Sequence, residues 1–239
     1  MNLAADTLRA RNMEKRRSRL LAEARHLLAS GGFEALNLRE LARLAGVTVP
    51  TIYNLIGKKE DVLLALGAVV LTEIEARIAP IRHADPLTLA AAVVVESTRL
   101  FAEDENFYRA AFLAVEWLDQ TGQHHEQVAR IYAWAGALMS AGINACRTAR
   151  LIRGRIPAAQ ISELLTRNFR MSFRGWAFGH YGIDEFRRIA LSDLYILLTA
   201  DAVETFQLRL LREISKLALG ITNSKATRKT TRNNLGGAP

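Results

Sequence analysis

Apolar residues recur along this chain at helical spacing nearly everywhere. Leu20, Ala24, Leu27 and Leu28 fall at i, i+4, i+7 and i+8, one face of a helix. Ser30-Gly31-Gly32 stops it, because glycine takes the left-handed C-terminal position cheaply, and Phe33 offers an apolar anchor beyond the stop. A short second helix follows. Asn37 caps it, Glu40 completes an approximate capping box, and Leu38, Leu41, Ala42 and Ala45 form its apolar face. Gly46-Val47 makes a tight turn. Thr48 caps a third helix over Val49 to Leu55, with Pro50 tolerated in its first turn.

Gly57-Lys58 breaks that helix, and a long fourth runs from Lys59 to about Ala79, ended by Pro80. Longer helices are then expected over Pro86 to Glu103, Asn106 to Gln120, Glu126 to Ile152, Pro157 to Gly179, and Asp184 to Leu219. The breakers between them are Asp85-Pro86, Thr121-Gly122, Gly154 with Pro157, and Gly179 to Gly182. No alternating strand pattern and no internal repeat occurs. The fold class this predicts is all-α: an N-terminal three-helix unit (residues 1–62), a larger helical domain (63–219), and a basic tail (220–239) rich in Thr, Asn, Lys and Gly that is expected to be disordered.

Composition narrows the picture. The 239 residues are 50% hydrophobic, enough for a core without staples. Cys146 is the only cysteine, so no internal disulfide forms and no all-cysteine metal site can be built; this fits a reducing compartment, and the expected location is the cytoplasm. Residues 1–19 are polar and basic with no apolar run after them, so no secretory signal is expected. The longest uncharged run, Ile131–Cys146, is too short to span a membrane and reads as a buried helix.

Charge adds direction. The net charge is +8, but its distribution is uneven: residues 1–62 carry +4, residues 63–215 carry −1, and residues 216–239 carry +5. A basic end beside a neutral body suits a protein that touches a polyanion with one small part. Three short helices with a glycine turn between the second and third also describe a helix-turn-helix unit, whose third helix lies in the DNA major groove.

The stretch Leu38-Arg39-Glu40-Leu41-Ala42-Arg43-Leu44-Ala45-Gly46-Val47-Thr48-Val49-Pro50-Thr51-Ile52-Tyr53, followed by Lys59-Glu60-Asp61-Val62, resembles the TetR family of transcriptional regulators over about Arg17 to Leu66. The resemblance implies three DNA-binding helices and a larger helical domain that binds a ligand and dimerises. Carried onto this sequence, Thr51 and Tyr53 contact phosphates and Lys59 adds a point charge. Val49 and Pro50 touch base edges, Thr48 opens the recognition helix, Asn54 reaches a base or phosphate, and Arg39 reads guanine. Arg11, Lys15, Arg16, Arg17 and Arg19 add attraction to the DNA backbone. Leu55 stands where the family usually has His or Tyr, and Ile56 where Phe is common; Leu55 thins the polar contact set.

In the large domain the resemblance places Phe101, Tyr108, Phe112, Trp117, Tyr132 and Trp134 on the helices around the family's ligand pocket, with Glu116, Asn144 and Met139 as further candidates. Phe101, Phe112, Glu116, Trp117, Trp134 and Met139 are the expected ligand contacts. Each of them could equally be core, and Glu116, if buried, needs a partner. Phe169, Phe173 and Trp176, with Leu194, Tyr195, Leu198 and Phe206, repeat at helical spacing in the last two expected helices and are assigned to a homodimer interface.

His124-His125 project about 100° apart on a helix and are read as a loop or cap, so no metal is expected. With no glycine-rich phosphate loop, no nucleophile elbow and no zinc-protease motif, neither catalysis nor a cofactor is expected. The implied function is a ligand-responsive repressor that binds a near-palindromic double-stranded DNA operator as a homodimer. A small apolar or amphipathic effector releases it, and no membrane is involved.

Overall fold

The computed structural model describes residues 3–81 and 83–234, and the side chains of residues 10–81 and 83–219. Ten α-helices account for nearly all of it, and no strand occurs among the described residues. Helix α1 (Leu3–Ala35) is followed by α2 (Leu38–Ala45), α3 (Val49–Leu55) and α4 (Lys59–Ile78), and a short 3₁₀ turn covers Ala79–Ile81. The larger body comprises α5 (Pro86–Glu103), α6 (Glu105–Thr121), α7 (His125–Thr148), α8 (Ala158–Ala177), α9 (Ile183–Thr199) and α10 (Glu204–Asn234).

The N-terminal elements follow the predicted pattern closely. Leu20, Ala24 and Leu28 on α1 are fully buried and face Leu36, Leu41 and Ile52, also fully buried. The glycine stop in α1 takes the form of a kink rather than an end: Gly32 has φ +67°, and helical geometry resumes after it. Helix α4 then runs from the three-helix unit into the body, packing on α1, α5, α6 and α7.

One expected helix is two. The run predicted from Asp184 to Leu219 breaks after Thr199 and resumes at Glu204. No glycine or proline marks the spot. The break is made by Asp201, which is 1% exposed. Its carboxylate accepts from the backbone N–H of Gly154 (2.7 Å) and of Arg155 (3.1 Å), and its carbonyl accepts from Arg153 (2.7 Å). These bonds tie the α9–α10 corner to the loop after α7, and Ile152 and Ala202 form an isolated antiparallel bridge there. The same loop ends α7 at Thr148, four residues before the predicted Ile152. Helix α10 extends to Asn234, into the segment whose composition suggested a tail; residues 235–239 lie outside the described residues.

Helix α9 packs against α5, α8 and α10. This corrects the reading of its apolar face. Leu194 and Leu198 are fully buried within the chain, and Tyr195 and Phe206 nearly so. Trp176 is fully buried in a ring cluster with Phe101, Phe173 and Phe186. Helical periodicity gives the width of an apolar stripe but not what covers it, and here α10 and α5 cover it. The large hydrophobic side chains left exposed on α8, just beyond its end, and on α9 are Met171, Phe178 and Ile196.

Candidate nucleic-acid interface and cavity

Helices α2 and α3 meet through a glycine corner. Gly46 has φ +66° and ψ +38°, and the N–H groups of Gly46 and Val47 bond back to the carbonyls of Arg43 and Ala42. Asn37 caps α2 by accepting from the Arg39 N–H at 2.8 Å. The expected capping box is not closed: the Glu40 carboxylate pairs with Arg43 instead. Thr48 caps α3, accepting from the Thr51 N–H, and its hydroxyl lies 2.9 Å from that of Thr51. A second corner sits at Gly57, whose φ of +129° and proximity to Asp61 exclude a side chain; the Asp61 carboxylate accepts from the Lys58 N–H at 2.8 Å.

This packing sorts the predicted contacts by face. Leu41, Ala42, Ala45 and Ile52 point inward. Arg39, Thr48, Pro50, Tyr53 and Asn54 are exposed, and Val49 and Thr51 are half-buried at the same edge of α3. Tyr53 is 51% exposed, far more than an aromatic that serves as core. Lys59 sits at the start of α4 with its ammonium 3.9 Å from the centre of the Phe33 ring, a cation–π contact that fixes its position. Arg17 donates to the Leu55 carbonyl at 3.3 Å, tying α1 to the end of α3. Arg11, Lys15, Arg16 and Arg19 are exposed on α1. The result is an exposed, hydrogen-bond-rich and basic edge carried by a short helix on a buried apolar base. It can donate to phosphates and present α3 to a groove.

The second site is a cavity of about 100 Å³ in the body, enclosed by α4, α5, α6, α7 and α8. Of the expected ligand contacts, Phe101, Phe112 and Met139 line it, as do Tyr108 and Tyr132. Trp117 does not; it is exposed and packs on Phe33, ring centres 4.5 Å apart. Trp134 is half-buried off the cavity, Asn144 is exposed, and Glu116 is buried behind the wall. Phe169 and Phe173, assigned from sequence to the dimer surface, line the cavity instead, as do Ser97, Thr166, Arg170 and the α4 residues Gly67, Val70, Leu71 and Ile74. The α4 contribution was hidden in the sequence because its apolar positions occur on every side of that helix.

Two polar clusters flank the cavity. On one side Glu116 accepts from the Tyr132 hydroxyl (2.6 Å) and Arg170 Nε (2.6 Å), Arg170 Nη2 donates to Asp119 (2.7 Å), and Arg174 lies 3.6 Å from Glu116. The buried carboxylate is thus satisfied by the protein itself. On the other side, the Tyr108 hydroxyl donates to Glu73 (2.9 Å) on α4 and accepts from Arg25 (3.0 Å) on α1. Arg25 also pairs with Glu73 (2.8 Å), approaches Asp104 (3.5 Å) and stacks on Phe107. Burial, first of all, pushes the Tyr108 and Tyr132 hydroxyls well above their ordinary range, so both stay neutral.

The remaining candidates settle simply. His124 precedes α7, and His125 at its first turn lies 3.4 Å from Asp119. Cys146 is buried, its thiol pushed up to about 11 by desolvation. Among the described residues no group of three metal-ligating side chains converges, and no helix is long and apolar enough to cross a membrane.

Residues 20–66 match the family model for bacterial regulatory proteins of the tetR family. No curated protein matches the sequence significantly. Solved structures share most of the fold at low identity. A transcriptional regulator FadR from Bacillus subtilis, solved with stearoyl-CoA, is 16% identical with a TM-score of 0.62, covering 76% of this chain and 97% of its own. The TetR-family repressor FadR of Thermus thermophilus, solved with lauroyl-CoA, is 19% identical with a TM-score of 0.61, covering 79% and 96%. SmeT, repressor of the multidrug efflux pump SmeDEF of Stenotrophomonas maltophilia, is 18% identical with a TM-score of 0.62, covering 80% and 92%.

Proposed function

We propose, for a chain that carries the TetR-family N-terminal domain at residues 20–66 and folds as TetR-family regulators do, that it is a ligand-responsive repressor binding a near-palindromic operator as a homodimer. Members of that family are DNA-binding regulators rather than enzymes. The observation that carries the reading is the division of α3: Ile52 is fully buried while Tyr53, Asn54 and Pro50 stand outside, on a helix too short to be stable alone. The chain holds that helix up as a reading edge.

Pairing of two copies across the outward faces of α8 and α9, around Met171, Phe178 and Ile196, would place two such edges on one face of the duplex. The effector site is the cavity between α4 and α8. Its wall includes Tyr108, and the hydroxyl of that residue is held by Arg25 of α1 and Glu73 of α4. A ligand that displaces the Tyr108 ring moves the point where the DNA-binding unit, α4 and α6 are joined. Such a ligand changes DNA affinity only if it binds the two arrangements differently. The two similar structures solved with acyl-CoA esters support an apolar or amphipathic effector.

The test is a salt-titrated binding assay on the DNA flanking the protein's own gene. Tight binding to one segment, well above random DNA at the same salt, is the expected result. Equal affinity for all sequences at every salt sinks the regulator reading.

A further inference from the structure

Ser97 stands out among the residues around the cavity. It lies on α5 between Val93 and Phe101, which line the same cavity one turn before and after it. The residue is fully buried, and its hydroxyl has no hydrogen-bond partner. Its neighbour Thr98 shows the ordinary solution for a buried hydroxyl in a helix, donating to the Val94 carbonyl at 2.9 Å and accepting from Arg187 Nε at 2.7 Å. An unmatched buried hydroxyl is costly, and native proteins keep few of them. The other polar side chains that line the cavity all have protein partners: Tyr108 with Glu73 and Arg25, Tyr132 and Arg170 with Glu116, and Thr166 with the Ser162 carbonyl.

The cation that lines the cavity is already paired. Arg170 meets both Glu116 and Asp119, and the outer groove beyond it, which shares Tyr132, Thr166 and Arg170 with the cavity, carries Glu163 as well as Arg167. Inside the cavity an anionic ligand would gain no unpaired cation, because Arg170, the cation among its lining residues, is already held by Glu116 and Asp119.

Taking the cavity as the effector site, we propose that its ligand is an uncharged, ring-containing molecule bearing one hydrogen-bonding oxygen or nitrogen, and that Ser97 is the residue that recognises that atom. Aromatic wall residues supply affinity by burial and ring stacking, and Ser97 supplies the choice among apolar molecules of one shape. A site built to hydrogen-bond a polar atom discriminates against the analogue that lacks it, because the hydroxyl is then left unmatched.

The experiment uses the full-length protein at pH 7 and three probes of one skeleton: 2-naphthol, naphthalene and 2-naphthoate. Dissociation constants come from calorimetric titration, with naphthalene read by competition against 2-naphthol. The expected order is 2-naphthol tightest, naphthalene weaker by about 2- to 10-fold, the range of one net hydrogen bond, and 2-naphthoate weakest. Ser97→Ala should bring 2-naphthol and naphthalene to equal affinity while leaving naphthalene unchanged or tighter. The inference is overturned if 2-naphthoate binds best, if the naphthol preference survives in Ser97→Ala, or if no probe binds the wild type up to its solubility. A cavity-filling variant, Ala135→Phe, separates the two levels. If 2-naphthol binds that variant as well as wild type, the cavity is not the effector site and the broader reading fails; if binding is lost there but indifferent to Ser97, only the role of Ser97 fails.

Discussion

At the scale of single residues, the proposed DNA edge divides into side chains that would position and side chains that would read. Arg39 is exposed at the start of α2 and its guanidinium bonds to no other described residue, so it is free to turn outward. Arg39→Ala should weaken operator binding by about 1–3 kcal/mol, the range of a bidentate arginine–guanine contact, and leave affinity for random DNA almost unchanged. Tyr53→Phe should instead weaken all duplexes alike, because a phosphate contact holds no sequence information. Fluorescence anisotropy on operator and scrambled duplexes distinguishes the two. Cys146 gives a check on the body: with its thiol pushed up to about 11 and buried, it should resist a maleimide reagent in the folded protein at pH 7.5 and react fully in denaturant. The outward direction of the α2 and α3 residues was legible in sequence because a cap, a glycine corner and a short amphipathic helix fix it locally. Ser97 and the pairing of Glu116 with Arg170, 54 positions apart, were not, since both depend on packing between distant helices.

Individual elements show where periodicity stops informing. The short helices α2 and α3 match the expected spans residue for residue, because Asn37, Gly46 and Thr48 fix their ends with local chemistry. The α9–α10 corner is set by Asp201 acting on a loop nearly fifty residues earlier, and nothing in its own neighbourhood announces it. Asp201→Ala should lower unfolding stability by about 2–4 kcal/mol, since it leaves two loop N–H groups without acceptors; the urea midpoint measures this. At the α5–α7 crossing, Gly142 packs so close to the Ala90 backbone that an added methyl group collides with it. Gly142→Ala should cost about 1–3 kcal/mol despite the better helix propensity of alanine. Asp85 caps α5 and pairs with Arg209 of α10 at 2.7 Å, and this arginine chiefly holds its carboxyl below the usual range. A lowered carboxyl contributes stability above its unfolded value of about 3.9 and loses it as pH falls through the lower folded value. The stability difference between wild type and Asp85→Asn should therefore be constant near pH 6 and shrink as pH falls below the unfolded value of about 3.9 and through the lower folded one. The apolar stripe of α9 was misassigned from sequence for a related reason: spacing identifies a buried face, and only the placement of α10 reveals that the chain buries it alone.

Across the whole molecule, two sites meet at Tyr108. Its ring belongs to the cavity wall and its hydroxyl to the Arg25–Glu73 pair that joins α1 to α4. Tyr108→Phe keeps the ring and the Arg25–Glu73 pair but cuts the link between them, so it should retain ligand binding while the ligand-induced change in DNA affinity falls several-fold towards none. Coupling free energies of this kind are typically about 1–3 kcal/mol, large enough for the loss to be read directly. The uneven charge fits the proposed division, with a net +4 on residues 1–62 for an end that would meet a polyanion and −1 on residues 63–215 for the body proposed to sense and pair. The most direct test of this account is selection of bound duplexes from a random pool by the full-length protein at fixed salt, with Tyr53→Phe/Arg39→Ala run in parallel. The account predicts strong enrichment of one near-palindromic sequence by wild type and loss of that enrichment in the double variant. Recovery of sequences no different from the starting pool, or equal enrichment by both proteins, would contradict it.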